Sequence, residues 1–301
     1  MEPALFSFFS GSGFLDLGFE KNGFRIVMAN ELHQPFMSAY EYSRKRMGIE
    51  KPVYGNCVCS ISDFRDCKRG WLLEKMAEAR QKHGLVGFVG GPPCPDFSIA
   101  GKNMGRKGKN GQLSYVYASL ICDTKPDFFI FENVKGLWST AVHRQFFDLL
   151  VRKLQRAGYR TTCRLTNALE YGAPQDRDRI ILFGALRSSM GGKFKRSEIS
   201  DFPWESFTIN NVGAVKGLSW PTQDPFIPNS TTDCPDGLPK ELTVEYWFEK
   251  NHVSNHPNAD MYFMPKAGLG RMKSIDEGDV SRKSYKRLHR WRYSPTAAYG
   301  E

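Results

Sequence analysis

The apolar residues in the first half of the chain fall into short unbroken runs, and between the runs they recur at helical spacing. Residues 5–9, 25–29, 85–89, 128–131 and 180–185 are the runs, each of strand length and buried in character. Helices are predicted from about residue 16, over residues 35–47 and over residues 142–157. Pro35 stands in the first turn of the second helix, where a missing N–H leaves nothing unsatisfied. Phe146, Phe147, Leu149, Leu150 and Leu154 give the third its apolar face. Strands alternating with helices predict an α/β fold with a doubly wound, Rossmann-like sheet. In such a sheet ligands bind outside the carboxyl ends of the strands. The pattern stops near Arg187. Beyond it Pro203, Pro221, Pro225, Pro228, Pro235 and Pro239 punctuate a stretch rich in Gly, Asn, Ser, Trp and Tyr. Two domains are therefore expected: residues 1–186, and a second, smaller, irregular domain over residues 187–301.

The strand ends carry the candidate chemistry. Phe9-Ser10-Gly11-Ser12-Gly13 follows the first strand and precedes a helix, where glycine permits close backbone approach to a ligand. Such a loop also serves turn geometry alone in many α/β proteins. Asn30-Glu31 ends the second strand, where an acid commonly takes the ribose hydroxyls of an adenosine-containing cofactor; a solvated surface glutamate is the other reading. Gly90-Gly91-Pro92-Pro93-Cys94-Pro95 is more specific. A thiol pinned between prolines just past a strand end is neither mid-helix nor mid-strand, and is presented rigidly into a loop. The following segment, residues 100–111, is glycine-rich, with four basic residues (Lys102, Arg106, Lys107, Lys109) and no acid, as suits contact with phosphates. Glu132 closes a very apolar strand, where desolvation raises a carboxyl pKa toward a proton-donating range. If the run from Gln175 is extended, Arg177 and Arg179 share one face and offer fixed guanidinium donors, or else form ordinary salt bridges.

Composition narrows the class without deciding it. The chain has 301 residues, 41% hydrophobic and 25% charged, which is ordinary for a globular protein. A net charge of +10 suits a polyanionic partner, or serves solubility only. Seven cysteines, an odd number, argue against a secreted disulfide framework. Cys57, Cys59 and Cys67 lack a fourth ligand nearby, so no metal site is expected. No stretch has membrane-span length and the start lacks signal-peptide character, so no membrane association and a cytoplasmic location are expected.

Together and in this order, the Phe-Ser-Gly-x-Gly loop, Asn30-Glu31, Pro92-Pro93-Cys94, Glu132-Asn133-Val134 and Gln175-x-Arg177-x-Arg179 resemble the DNA cytosine-C5 methyltransferases, over residues 4–186. The resemblance implies an S-adenosylmethionine-dependent catalytic domain followed by a target-recognition region, with double-stranded DNA as partner and a place in a restriction-modification system. It implies that Phe9, Gly11, Gly13 and Leu15 line the cofactor, with Glu31 on the ribose and Leu32 against the adenine. Asn56, Pro93 and Leu113 match further cofactor positions. Cys94 would be the nucleophile that adds to C6 of a flipped cytosine. Glu132 would hold and protonate N3, and Arg179 would contact O2 with Arg177 in support. Ser98 and the basic residues Lys102, Arg106, Lys107 and Lys109 would lie on the DNA. The chemistry requires no metal.

Some positions depart from the pattern. Phe14 stands where the family usually has a third glycine, Asn56 where an aspartate commonly meets the adenine amino group, and Pro95 where a glutamine is frequent. Residues 285–300 resemble the stretch preceding the family's late Arg-Glu-Ala-Arg and Gly-Asn-Ser/Ala-Val segments, and those two segments are absent here. The chain reads either as a truncation or as the larger subunit of a split methyltransferase whose partner polypeptide supplies them; the second is preferred because the chain otherwise looks intact. Lys193, Lys195, Arg196, Arg271, Lys273, Arg282, Lys283, Lys286 and Arg287 suit phosphate contacts and base reading in the later region.

Overall fold

A seven-stranded sheet organises the first part of the chain. The structure, a computed structural model, describes residues 2–93, 109–190, 199–228, 230–261, 270–281 and 286–296, without the side chains of 109–111 and 271. Its strands are β1 (Ala4–Phe8), β2 (Arg25–Glu31), β3 (Asn56–Val58), β4 (Val86–Gly90), β5 (Phe128–Val134), β6 (Tyr159–Asn167), β7 (Gln175–Asp176), β8 (Asp178–Leu186) and β9 (Ser294–Pro295). The sheet order is β3-β2-β1-β4-β5-β8-β6, and β7 pairs with β9 separately. From β3 through β5 all neighbours are parallel. β8 then enters antiparallel to β5, so the doubly wound sheet predicted from the sequence is present with a mixed edge.

The helices of this part are α1 (Phe14–Glu20), α2 (Gln34–Met47), α3 (Arg69–His83), α4 (Lys109–Thr124), α5 (Gly136–Ser139) and α6 (Ala141–Arg156). Every residue of β1 and β4 is buried, which explains their unbroken apolar runs. The core is aromatic: Phe6, Phe8, Phe88, Phe129, Phe131, Tyr117 and Tyr159 are essentially inaccessible. The Phe8 and Phe88 rings lie 4.9 Å apart, and the Tyr117 ring stacks at 6.0 Å on Phe131. Each such ring contributes roughly 1.5–3 kcal/mol on burial, enough to fix the strand ends that carry the loops.

Among the described elements of this part, α3, α4, β3, β6 and the four-residue α5 lie outside the predicted set. α3 buries Leu72, Met76 and Ala79, a helical stripe obscured by Trp71 and Leu73 beside it. α4 mixes polar and apolar residues without a clear helical period, β6 is mixed and threonine-rich, and β3 has three residues.

By contact the chain forms two compact units: residues 1–165 with 179–202, and residues 166–178 with 203–301. This division falls later than residue 187, and it assigns a short excursion of the chain, 166–178, to the second unit. The second unit holds α7 (Val212–Lys216), α8 (Val244–Lys250) and α9 (Gly270–Lys273), around a small core of Leu169, Val215, Trp220, Leu242 and Tyr293. Asn167 caps the turn of the excursion and donates to both Asp176 and Asp178, at 2.7 and 2.8 Å. Arg290 binds the Glu277 carboxylate through Nε and Nη2. Among the described residues no helix is long and apolar enough to cross a membrane.

Candidate active site

The strand order reverses between β1 and β4, which lie side by side with Phe8 opposite Gly90. Residues 9–13 and 91–93 therefore leave the sheet as neighbours, at the crevice where doubly wound folds hold ligands. β5 adjoins β4 with Phe131 opposite Gly90, so Glu132 rises at the same edge.

On one side of the crevice stands Glu31. Gly11 N donates to its Oε2 and His33 N to its Oε1, both at 2.9 Å. Two backbone amides thus fix a carboxylate that is only 8% exposed. The loop has three left-handed residues, Phe9 (φ 55°), Gly11 (φ 54°) and Gly13 (φ 87°). For phenylalanine that conformation costs about 1–3 kcal/mol. Packing of the Phe9 ring edge-on to Tyr117 at 6.0 Å opposes the strain. The two glycines serve different ends. A Cβ on Gly11 would meet nothing within 4 Å, whereas one on Gly13 would lie 2.3 Å from Arg44 Nη1 and 2.5 Å from Tyr40 Cδ2. Gly11 faces open space, and Gly13 lets α2 pack against the back of the loop.

Ser10 Oγ is buried with no partner among the described residues. Leu32 is largely exposed beside Glu31, and Leu15 partly so. Chemically, the Glu31 carboxylate can accept from hydroxyl groups, and Leu32 offers an exposed apolar side chain next to it. Asn56 donates through Nδ2 to Glu41 at 2.8 Å, and its Oδ1 is buried without a partner among the described residues. Pro92 is buried, Pro93 exposed, and Leu113 packs against the main core.

Across the crevice, β5 and β8 bring two charged residues together. Glu132 Oε1 lies 2.8 Å from Arg179 Nε, with both side chains mostly buried. A Cβ on Gly91 would come within 2.8 Å of Glu132 Oε2, so the glycine makes room for the carboxylate beside the loop. Asn133, fully buried, donates to the Pro92 carbonyl at 3.2 Å and accepts from Val134 N at 2.9 Å. The Glu-Asn-Val segment thereby grips the proline loop from the next strand. Arg177 sits between β7 and β8 in the second unit, where its carbonyl accepts from Ala168 N at 3.0 Å.

Beneath the loop of residues 9–13 is a buried polar cluster. Ser7 Oγ donates to Asp16 Oδ1 at 2.7 Å. Burial pushes the Asp16 carboxyl up to about 7, against the opposing pull of Ser7, Tyr40 and the Arg44 charge.

Cys94, Ser98, Lys102, Arg106 and Lys107 lie outside the described residues, as does the Lys109 side chain. So do Lys193, Lys195, Arg196, Arg282, Lys283 and the Arg271 side chain. Arg287, grouped above with the phosphate-contacting residues, is turned inward. It donates to the Ile275 and Met272 carbonyls and lies 3.4 Å over the Phe226 ring.

The sequence between residues 4 and 294 matches the C-5 cytosine-specific DNA methylase family. The chain belongs to that family. Among curated relatives of this methylase, the type II methyltransferase M.NmeDI of Neisseria meningitidis serogroup C is 51% identical over 98% of the chain and 68% of its own length. M.FnuDI of Fusobacterium nucleatum, also a type II methyltransferase, is 36% identical over 60% of the chain and 46% of its own length. The chain spans about half the length of most of these relatives. In fold, the methylase is similar to a DNA modification methyltransferase encoded within an E. coli prophage. The TM-score is 0.57 at 19% identity, covering 98% of this chain and 82% of the other. Family membership makes the protein an enzyme of DNA methylation. Sequence reasoning assigned no role to Asn133, Gly91, Asp16 or Arg44. Asn133 and Gly91 stood inside quoted motifs, yet their roles, like that of Arg44, depend on partners far away in the chain.

Proposed function

We propose that the protein methylates C5 of a cytosine in a specific duplex DNA site, as the modification enzyme of a type II restriction system acting in the cytoplasm. The observation that carries this reading is the Glu132–Arg179 pair beside Gly91, with Asn133 holding Pro92 two residues before Cys94. A base acceptor and a cationic donor stand together near Glu31, beside the strand end after which the sequence reaches Cys94.

The residues around Glu31 fit S-adenosylmethionine, which when bound supplies an electrophilic methyl group. Glu31 would take its ribose hydroxyls, Leu32 its adenine, and the open face of Gly11 its approach to the loop. The target ring is inaccessible inside a stacked duplex, so the cytosine is extruded, at a cost on the order of a few kcal/mol. The Cys94 thiolate adds to C6, while Glu132 gives a proton to N3 and Arg179 steadies the O2 carbonyl. Addition makes C5 nucleophilic, toward the methyl group that bound S-adenosylmethionine would supply. A base then removes the C5 proton, the C5–C6 double bond re-forms as the thiolate leaves, and the N3 proton returns to Glu132. Residues 203–301 with the 166–178 excursion are assigned the reading of the DNA target.

The deciding experiment uses duplex DNA in which the target cytosine carries fluorine at C5. With no C5 proton to lose, the adduct persists and migrates with the protein on a denaturing gel. Cys94→Ala is expected to give none. An adduct that survives this substitution overturns the assignment of the nucleophile.

A further inference from the structure

Arg44 lies on α2, thirty-one residues from Gly13 in sequence, yet it is buried against the loop of residues 9–13. Its Nη2 donates to the Gly13 carbonyl at 2.6 Å and its Nη1 reaches the Ser12 carbonyl at 3.4 Å. Glu20 of α1 pairs with it at 2.9 Å, in a side-chain environment almost closed to water. The guanidinium also lies 4.2 Å over the Tyr40 ring. Its Nε has no partner among the described residues, and removing a partner from so deeply buried a charge is strongly felt. A structural salt bridge between α1 and α2 would need only Glu20. The two loop carbonyls are the additional feature.

We propose that Arg44 is the positioning residue of the cofactor loop. It draws the Ser12 and Gly13 carbonyls back toward α2, so that Gly11 presents its N–H to Glu31 and its open side to the ligand. This also accounts for the glycine at 13, since the guanidinium and the Tyr40 ring occupy the space a Cβ would fill. The inference rests on reading residues 9–13 as the S-adenosylmethionine loop. Arg44 touches neither cofactor nor DNA in this account. It acts through the backbone of the loop.

The test is calorimetric binding of S-adenosylhomocysteine to the full chain, with a thermal melt for each variant. Glu20→Gln leaves the bonds to the carbonyls in place and is expected to bind as the parent does. Arg44→Met with Glu20→Gln removes both charges together, so no carboxylate is left orphaned. Its dissociation constant is expected to rise on the order of tenfold or more over Glu20→Gln at a similar melting temperature, as loss of charged hydrogen bonds to a loop implies. Should that double variant not fold, Arg44→Lys is read instead. A lysine reaches one carbonyl, so binding should weaken severalfold while kcat at saturating cofactor and the KM for DNA hold. Arg44 variants that bind as tightly as Glu20→Gln overturn the positioning role. If the parent chain itself binds no S-adenosylhomocysteine, the reading of the loop fails instead, and the two failures are told apart in the same experiment.

Discussion

Replacing Asp16 by asparagine should change the pH dependence of stability more than stability itself. Asp16 is 1% exposed, accepts from Ser7 Oγ at 2.7 Å, and faces the Tyr40 hydroxyl, the Arg44 guanidinium and the Glu20 carboxylate. Burial lifts its carboxyl from 3.8 to about 7. The folded protein therefore holds a proton that the unfolded chain releases, throughout the interval between those two values. Stability falls as pH rises across that interval, and above about 7 the buried carboxylate exerts its full unfavourable effect. From pH 5.5 upward about 1.5 pH units of the interval remain, roughly 2 kcal/mol at 1.36 kcal/mol per unit.

An amide at position 16 can accept from Ser7 and does not titrate. The melting temperature of Asp16→Asn minus that of the parent should therefore increase between pH 5.5 and pH 8. For a chain of this size the gain should be on the order of 4 °C. Differential scanning calorimetry in buffers of matched ionic strength measures it. The competing account has Asp16 ionised at every pH and paired with Arg44, in which case the amide would be less stable by a constant amount. A difference that stays flat across the series refutes the protonated carboxyl.

Four further substitutions probe the crevice. Gly13→Ala combines a left-handed backbone with contacts of 2.3 and 2.5 Å, so urea melts should show a loss of about 2–4 kcal/mol. Gly11→Ala has the strain without the contacts and should lose only about 1 kcal/mol in the same melts. Asn133→Ala releases the Pro92 carbonyl and should destabilise by about 1–3 kcal/mol. Steady-state kinetics should show its kcat falling on the order of tenfold or more with the KM for cofactor unchanged. Gly91→Ala meets only the far end of the Glu132 side chain, 2.8 Å away, and should melt close to the parent. Single-turnover methylation should nevertheless slow, because the carboxylate is pushed from its place.

What the sequence disclosed and what it withheld follow from how far apart the cooperating residues lie. β1, β2 and β4 were legible because near-complete burial on both faces favours unbroken apolar runs, and that demand is written locally; β5, whose burial alternates, was legible from its run of apolar residues 128–131. The same holds for α2, announced by Pro35 and closed by Gly48 in a left-handed conformation. Glu31 and Glu132 stood out in the sequence as acids near the carboxyl ends of β2 and β5, since a strand fixes where its residues point. Arg44 was not. In sequence it is one of three adjacent cations, Arg44, Lys45 and Arg46, in the last turn of a helix, where a solvated charge is the ordinary expectation.

Gly13 shows why such residues escape a linear reading. Its motif is a glycine pair, and the natural inference gives both members the same purpose at the ligand. The structure separates them: Gly11 is open on its free side, and Gly13 is closed by a guanidinium and a tyrosine from α2. Whether position 13 tolerates a side chain thus depends on what stands at 40 and 44. A smaller residue at 44 in the same fold would remove the nearest contact and leave the backbone strain and Tyr40. If that dependence is real, Gly13→Ala and Arg44→Lys should be non-additive in a double-mutant cycle, with a coupling on the order of 1 kcal/mol in stability. Strict additivity would mean that the two positions do not share the space the structure assigns to them.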